Sequence, residues 1–302
     1  MTRFAFVDQE KAHHDVRTLC RMLRVSRSGY YAWRAGRAAS ARAIADEVLT
    51  EQVRTVHAMS RGTYGAPRVH AELADAGVRV GRKRIARLMR GAGLVGVSRR
   101  RWRLGCTRRD PAALPAPDLV DRQFVADRPN ELWVADVTYV PTLTGWLYLA
   151  VVLDVYSRRV IGWSMSSNRK TQLVVDAVAM AVARRGGNVA GVIQHSDHGG
   201  EYSSHDLDRA LRAAQITASM GSVGDCFDNG LAESFFATLE TELFLHEHSG
   251  RFDNHHQARL TIFDWIESFY NRRRRHSALG QLSPETFERQ HLTGINAITA
   301  AA

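Results

Sequence analysis

Between Glu131 and Ser164, three runs of β-branched, aromatic and aliphatic residues follow one another with only short turns between them. This stretch constrains the fold more than any other. The runs are Glu131–Val140 (ELWVADVTYV), Trp146–Val155 (WLYLAVVLDV) and Arg159–Ser164, with Gly145 breaking the first from the second. Residues of these types between turn signals form strands. The period then changes. Thr171–Arg185 reads as a long apolar helix ended by Gly186-Gly187, Val189–Gln194 as a short apolar strand, and His205–Ala214 as a helix. Asp228–Phe244 reads as a further helix with Leu231, Phe235, Leu239 and Leu243 on one face. Adjacent strands followed by helix, strand and helices predict an α/β domain with one central mixed sheet.

The residues before this domain are patterned as helices. Residues 15–34 join two short apolar-periodic helices through Val25-Ser26-Arg27-Ser28, where a serine can cap the second. Ala41–His57 reads as another helix. Tyr64-Gly65-Ala66-Pro67 reads as a turn before a helix over Arg68–Ala76, which Gly77 ends. A helix after Gly81 turns Ile85, Leu88 and Met89 inward and Arg82, Lys83, Arg84, Arg87 and Arg90 outward. Two short helices with the second strongly basic form a pair suited to docking on a duplex, with arginines that touch phosphates rather than read bases. Three prolines in residues 110–117 mark a linker. The expected organisation is an N-terminal helical region (1–60), a basic helix-turn-helix-like module (61–109), the linker (110–122), the α/β core (123–288) and a tail (289–302).

Charge supports the same division. The chain of 302 residues has a formal net charge of +10 and a pI near 10.1. From Arg79 to Arg109 it has no Asp or Glu at all. Arg272, Arg273, Arg274 and Arg275 form a second basic cluster beside His276, read as a phosphate-binding patch. A membrane surface would also attract such charge, but no amphipathic apolar stripe accompanies it. No apolar run approaches a bilayer span, and the N-terminus lacks a signal-peptide core. Three scattered cysteines without CxxC spacing argue against a disulfide framework and a cysteine-rich zinc site, so a reducing cytoplasm is expected.

Three acids stand out. Asp136 lies inside a strand pattern among Trp133, Val134 and Val137, where a carboxylate is costly unless paired or metal-bound. Asp197 follows the next apolar strand, and strand ends in α/β sheets gather ligand groups. Glu233 lies near the start of the following helix; thirty-five residues, 198 to 232, separate it from Asp197. Hard cations such as Mg²⁺ or Mn²⁺ take oxygen ligands and keep some water, so a few carboxylates suffice. Two such ions about 3.5–4 Å apart serve phosphoryl transfer. The residues alone leave alternatives open: acids are usually solvated groups or caps, and Asp154 rivals Asp136 as a carboxylate inside a strand run. Thr138 shares a sheet face with Asp136. His195 and His198 flank Asp197 and suit orientation or DNA contact better than zinc. Asn229 reads as a packing or DNA-facing group. No GxSxG or Walker-type loop is present.

At these positions the chain resembles the catalytic (OrfB) transposases of the insertion-sequence-three family, within the retroviral-integrase superfamily. The matching blocks are VSRSGYYAW (25–33), YGAPRVHAEL (64–73), RIARLMRGAGL (84–94), LWVADVTYV (132–140), QHSDHGGEYSS (194–204), DNGLAESFFATLE (228–240) and FYNRRRRHSALGQLSPETF (269–287). The resemblance implies an RNase H-like fold with a mixed five-stranded sheet and flanking helices, preceded by small all-α modules. It maps the metal-binding, catalytic acids onto Asp136, Asp197 and Glu233, with Mg²⁺ or Mn²⁺ as cofactor, two ions being expected. It implies cleavage of double-stranded DNA at insertion-sequence ends and strand transfer into a target. Expected partners are further copies of the chain on DNA, and an OrfA protein or OrfAB fusion; the expected place is the bacterial nucleoid. Four positions depart from the family pattern: Glu240 stands where a lysine or arginine generally follows the catalytic glutamate, Glu201 and His198 where glutamine is frequent, and Gly230 where alanine is. They keep open a second reading, a catalytically weakened DNA-binding regulator. A nuclease acting on RNA–DNA hybrids is a third, disfavoured by the long basic N-terminal modules.

Overall fold

A computed structural model describes residues 2–36, 41–98, 125–197, 201–202, 204–220 and 230–300. The expected linker, Arg99–Arg109, His198 and Asn229 lie outside the described residues. The chain divides into two compact units, one of Met1–Gly62 with Val69–Val95, the other of Thr63–Arg68 with Gly96–Ala302. The two N-terminal modules expected from the sequence thus share one unit, and the stretch Thr63–Arg68 belongs to the other.

The first unit is helical: α1 (Arg3–Glu10), α2 (Val16–Met22), α3 (Arg27–Arg34), α4 (Ala41–Met59), α5 (Ala66–Asp75, shared at its first turn with the second unit) and α6 (Arg82–Gly91). Val7, Leu19, Cys20 and Tyr30 form a small buried core for α1–α3. The serine expected to cap α3 is Ser26, whose Oγ accepts the Gly29 N–H at 3.0 Å. Helix α5 starts two residues earlier than its sequence suggests, because Pro67 falls in the first turn, where a helix has no use for its missing N–H.

The second unit is built on a five-stranded sheet in the order β3-β2-β1-β4-β5. Its strands are β1 (Leu132–Thr142), β2 (Gly145–Asp154), β3 (Val160–Ser166), β4 (Ile193–Ser196) and β5 (Thr217–Met220). The β1–β2–β3 meander is antiparallel, and β4 and β5 add in parallel. This is the expected mixed sheet. Helices α7 (Thr171–Arg184) and α8 (His205–Ala213) cover one face through a core that includes Trp133, Ala135, Val152, Ile161, Val174, Val178, Leu207 and Leu211. Gly162 lets α7 lie directly on β3, since a Cβ there would sit 2.1 Å from the Ala177 carbonyl. Helices α9 (Gly230–Leu239) and α11 (His255–Asp264) also touch the sheet.

Several details depart from the sequence expectation. The strand placed at Val189–Gln194 begins only at Ile193: Val189 and Val192 are buried, but the chain turns at Gly191 with φ +85°. The expected single helix to Phe244 becomes π-helical over Glu240–Leu245, followed by the short α10 (His246–His248). The wider turn lets Glu242, Leu243 and Phe244 all be buried in succession, which an α-helical stripe does not provide. A second π-helical stretch, Trp265–Tyr270, extends α11, and α12 (Pro284–Ala300) runs on through the expected boundary at 288.

Candidate active site

Asp136 sits in the middle of β1, the central strand, opposite Val151 of β2. Trp133 and Ala135 point into the core beneath α7. Strand alternation therefore puts Asp136 on the opposite face, with Val134 and Thr138. Ala135 pairs in parallel with Ser196, so Asp197, the first residue after β4, emerges beside Asp136. Glu233 lies in the first turn of α9, which touches β1. Asp197 and Glu233 are exposed and Asp136 is half-buried.

Asp136 responds electrostatically to both other acids. Burial of its carboxyl raises the Asp136 pKa most, and the charges of Asp197 and then Glu233 raise it further; the Val137 N–H, donated to its Oδ1 at 2.7 Å, and Arg169 oppose them. The balance is a pKa pushed up to about 8. A carboxyl held out of water beside two further acids fits a divalent cation in chemistry: hard oxygen donors with negative charge to neutralise. Among the described residues no ready-made cluster of three acid, histidine or cysteine side chains surrounds a single point.

Asp154, the rival within a strand run, has another role. It is fully buried; its Oδ2 accepts the Asn130 N–H at 2.9 Å and Arg185 Nη2 at 3.1 Å, and its Oδ1 accepts the Ser157 N–H at 3.1 Å. Arg185 Nη2 also reaches Glu288 at 2.6 Å, and Arg159 reaches Glu288 at 2.8 Å. This closed network ties α12 to the sheet.

The supporting residues divide similarly. Thr138 is half-buried on the Asp136 face. His195 is buried, with Nδ1 3.0 Å from Ser219 Oγ on β5, so it packs within the sheet rather than meeting DNA. Tyr202 escaped notice in the sequence. It is buried in the core beneath α7, and burial first, then the charges of Asp136 and Asp197, raise its hydroxyl pKa well above the ordinary value. Arg169 also belongs to this neighbourhood: it donates to Tyr139 Oη at 2.8 Å and pairs with Glu201. No sequence spacing marks either residue.

The basic residues are not equivalent. On α6, Arg84 and Arg87 hold Asp46 at 2.7 and 2.6 Å, whereas Arg82, Lys83 and Arg90 are exposed, with no carboxylate partner among the described residues. The four-arginine cluster is split. Arg272 and Arg273 are at the surface, Arg272 lying 3.5 Å from Glu285. Arg274 and Arg275 are buried, contrary to a uniform surface patch: Arg274 pairs with Glu242 at 2.6 Å, and Arg275 Nη1 donates to the Gln281 carbonyl at 2.9 Å.

A central strand with an acid at its middle, a second acid at the adjoining strand end and a third on a helix touching that strand define an integrase-type catalytic core. Family models agree: two described as integrase core domain match residues 126–226 and 214–284, and one described as an HTH-like domain matches residues 43–102. The chain is 39% identical over 292 residues to the transposase InsF for insertion sequence IS3A of Escherichia coli (strain K12), covering 96% of this chain and 99% of that protein. It is 39% identical over 274 residues to an uncharacterized 31 kDa protein of insertion element IS600 of Shigella sonnei, covering 90% of this chain and 98% of that one. Among solved structures it is similar to the HTLV-2 integrase catalytic core in complex with magnesium, at TM-score 0.41 and 16% identity, covering 54% of this chain and 98% of that one. The chain belongs to the IS3 family of insertion-sequence transposases.

Proposed function

We propose that Asp136, Asp197 and Glu233 are the catalytic acids of a transposase that cuts double-stranded DNA at insertion-sequence ends and joins the freed 3′ end to a target. The observation that carries this is the placement of Asp136 on the central strand, with Asp197 at the end of the adjoining strand and Glu233 in the first turn of a helix touching β1, in a chain related to transposases over nearly its whole length. The three carboxylates would hold Mg²⁺ or Mn²⁺, two ions by the family pattern, which supply charge neutralisation and activation of the attacking oxygen. The central strand β1 would hold Asp136 in place, with Thr138 on the same face of that strand. Arg82, Lys83 and Arg90 on α6 and Arg272 and Arg273 on the catalytic unit, all exposed, would meet backbone phosphates. Arg84 and Arg87 serve the same surface while anchored to Asp46. Assembly of several copies on DNA, with an OrfA partner or as an OrfAB fusion near the nucleoid, completes the reading; among the described residues no helix is long and apolar enough to cross a membrane.

The test uses a labelled duplex carrying the inverted repeat that flanks the gene, with Mg²⁺, the fused protein and its Asp136→Asn variant. Nicking and strand transfer by the wild type alone support the proposal. Retained binding without cutting by the wild-type fusion refutes it and leaves the regulator reading, which Glu240 favours.

A further inference from the structure

The catalytic unit contains a small recess away from the acids, lined in part by Arg68, Arg158, Arg274, His276 and Ser234. Its volume is about 80 Å³. That is far below the roughly 300 Å³ at which small-molecule sites begin, but it exceeds the roughly 30 Å³ share of a single water. A compact oxyanion fits such a space; a nucleobase does not.

Charge decides the ligand. Three guanidiniums converge here against one carboxylate. Glu242 accepts Arg274 Nε at 2.7 Å, Arg274 Nη2 at 2.6 Å and Arg68 Nη1 at 3.2 Å, so it serves two arginines at once. No carboxylate pairs with Arg158 among the described residues. Arg274 is only 5% exposed. His276 adds no charge, because burial and the nearby Arg274, Arg68 and Arg158 push its pKa well below 6.5. Burial and Arg274 likewise press down the Arg68 pKa, the mark of like charges held together. Set against the single Glu242, the recess has an excess of two positive charges in a small, half-open space. Such an arrangement is costly empty and suited to a tetrahedral oxyanion, which guanidinium forks bind through paired N–H groups.

We propose that this recess seats one phosphate of the DNA backbone, fixing the duplex alongside α9. The lining residues Leu231, Ser234, Phe235 and Thr238 form one stripe of α9, the helix that presents Glu233. A phosphate held there would set the register of the DNA relative to the catalytic helix without reading its sequence. The proposal rests on the DNA-acting reading above.

The experiment measures binding of the full chain to a random-sequence duplex across a salt series, for wild type, Arg158→Gln and Arg158→Lys. Arg158 is half-buried in the β2–β3 turn, so its substitution spares the core. Losing one phosphate contact lowers the steepness of log K against log[salt] by about 0.9. It also weakens binding at moderate salt roughly tenfold. Arg158→Lys should regain most of both. In parallel, sodium sulfate should raise the thermal midpoint of the wild type more than that of Arg158→Gln, at matched ionic strength. Equal salt slopes for wild type and Arg158→Gln overturn the proposal, even if sulfate binds, since the recess would then serve another anion. A wild type that binds no duplex overturns the DNA-acting reading, and this proposal with it; a wild type that binds and cuts while the variant matches it overturns this proposal alone.

Discussion

Glu242 holds two arginines together, and changing it to glutamine tests whether that arrangement is as finely balanced as its geometry implies. The substitution keeps the side-chain volume and one acceptor oxygen but removes the charge that neutralises Arg274 and Arg68. Stripping one partner from a buried ion pair costs roughly 3–5 kcal/mol, because the remaining charge stays buried and unpaired. Arg68 retains a side-chain exposure of 24% and can reach water, so the lower end applies, about 3 kcal/mol. For a unit of this size that lowers the thermal midpoint by roughly 6–12 °C. Acid should erase the difference. Burial pushes the Glu242 pKa up, but Arg274 and Arg68 more than reverse this, leaving it below the ordinary 4.5. Its stabilisation is therefore complete above about pH 4.5 and lost as pH falls through the depressed value, so wild type and Glu242→Gln converge. Sulfate should recover more stability in the variant than in the wild type, since the recess then carries three unopposed guanidiniums. Chemical denaturation at neutral and acid pH measures all of this. A loss under about 1 kcal/mol at pH 7, or a difference that acid leaves unchanged, refutes the reasoning.

Three further outcomes follow from the same structure. Asp154→Asn should destabilise the catalytic unit by about 1–3 kcal/mol while leaving the activity of the folded fraction near wild type, because Glu288 still holds Arg185; Asp136→Asn should do the reverse, abolishing cutting without loss of stability, and paired denaturation and cleavage assays separate them. His276 is held neutral, so the unfolded chain binds a proton below about pH 6.5 that the native state refuses; stability should fall on acidification from pH 7 to 5 by up to about 1.4 kcal/mol per pH unit, and His276→Gln should flatten that slope. Gly162→Ala places a methyl 2.1 Å from the Ala177 carbonyl and 2.8 Å from the Ala181 nitrogen, so α7 must lift from β3 at a cost of about 3 kcal/mol or more, seen as a lowered denaturation midpoint.

The antiparallel meander was legible in the sequence because β1, β2 and β3 are long runs of strand formers separated by turn residues, and period alone exposes them. Strand β5 was not: Thr217–Met220 is four residues of TASM, and it is a strand because β4 offers it a parallel edge. The π-helical stretch after Leu239 was hidden for a similar reason, since its cause is the burial of Glu242 against arginines far along the chain. The acids show the same limit. Asp136 and Asp154 are indistinguishable as aspartates in apolar strand runs. What separates them is Arg185, thirty-one positions beyond Asp154, whose guanidinium neutralises one and never reaches the other. Likewise Arg272 to Arg275 are four identical letters, and which of them turn inward depends on Glu242 and on the chain's return at Gln281.

This split bears on Glu240, the residue at odds with the family pattern. Seven residues beyond Glu233, it returns to nearly the same side of the helix two turns on, and no basic group pairs with it among the described residues. An acid there repels a phosphate backbone that would run along that side. The stripe facing the arginine recess is a different side of the same helix, through Leu231, Ser234, Phe235 and Thr238. Glu242, two residues past Glu240, is turned inward and neutralised, so it adds no repulsion at the surface. Positive charge along this helix therefore lies over the arginine recess and not over Glu240, where the family resemblance leads one to expect a cation. DNA drawn to it would lie displaced toward Arg158 and Arg68, and Glu240→Lys should then strengthen duplex binding even in the Arg158→Gln background. If the two substitutions fail to act independently, both residues face the same stretch of backbone and the displaced path is wrong.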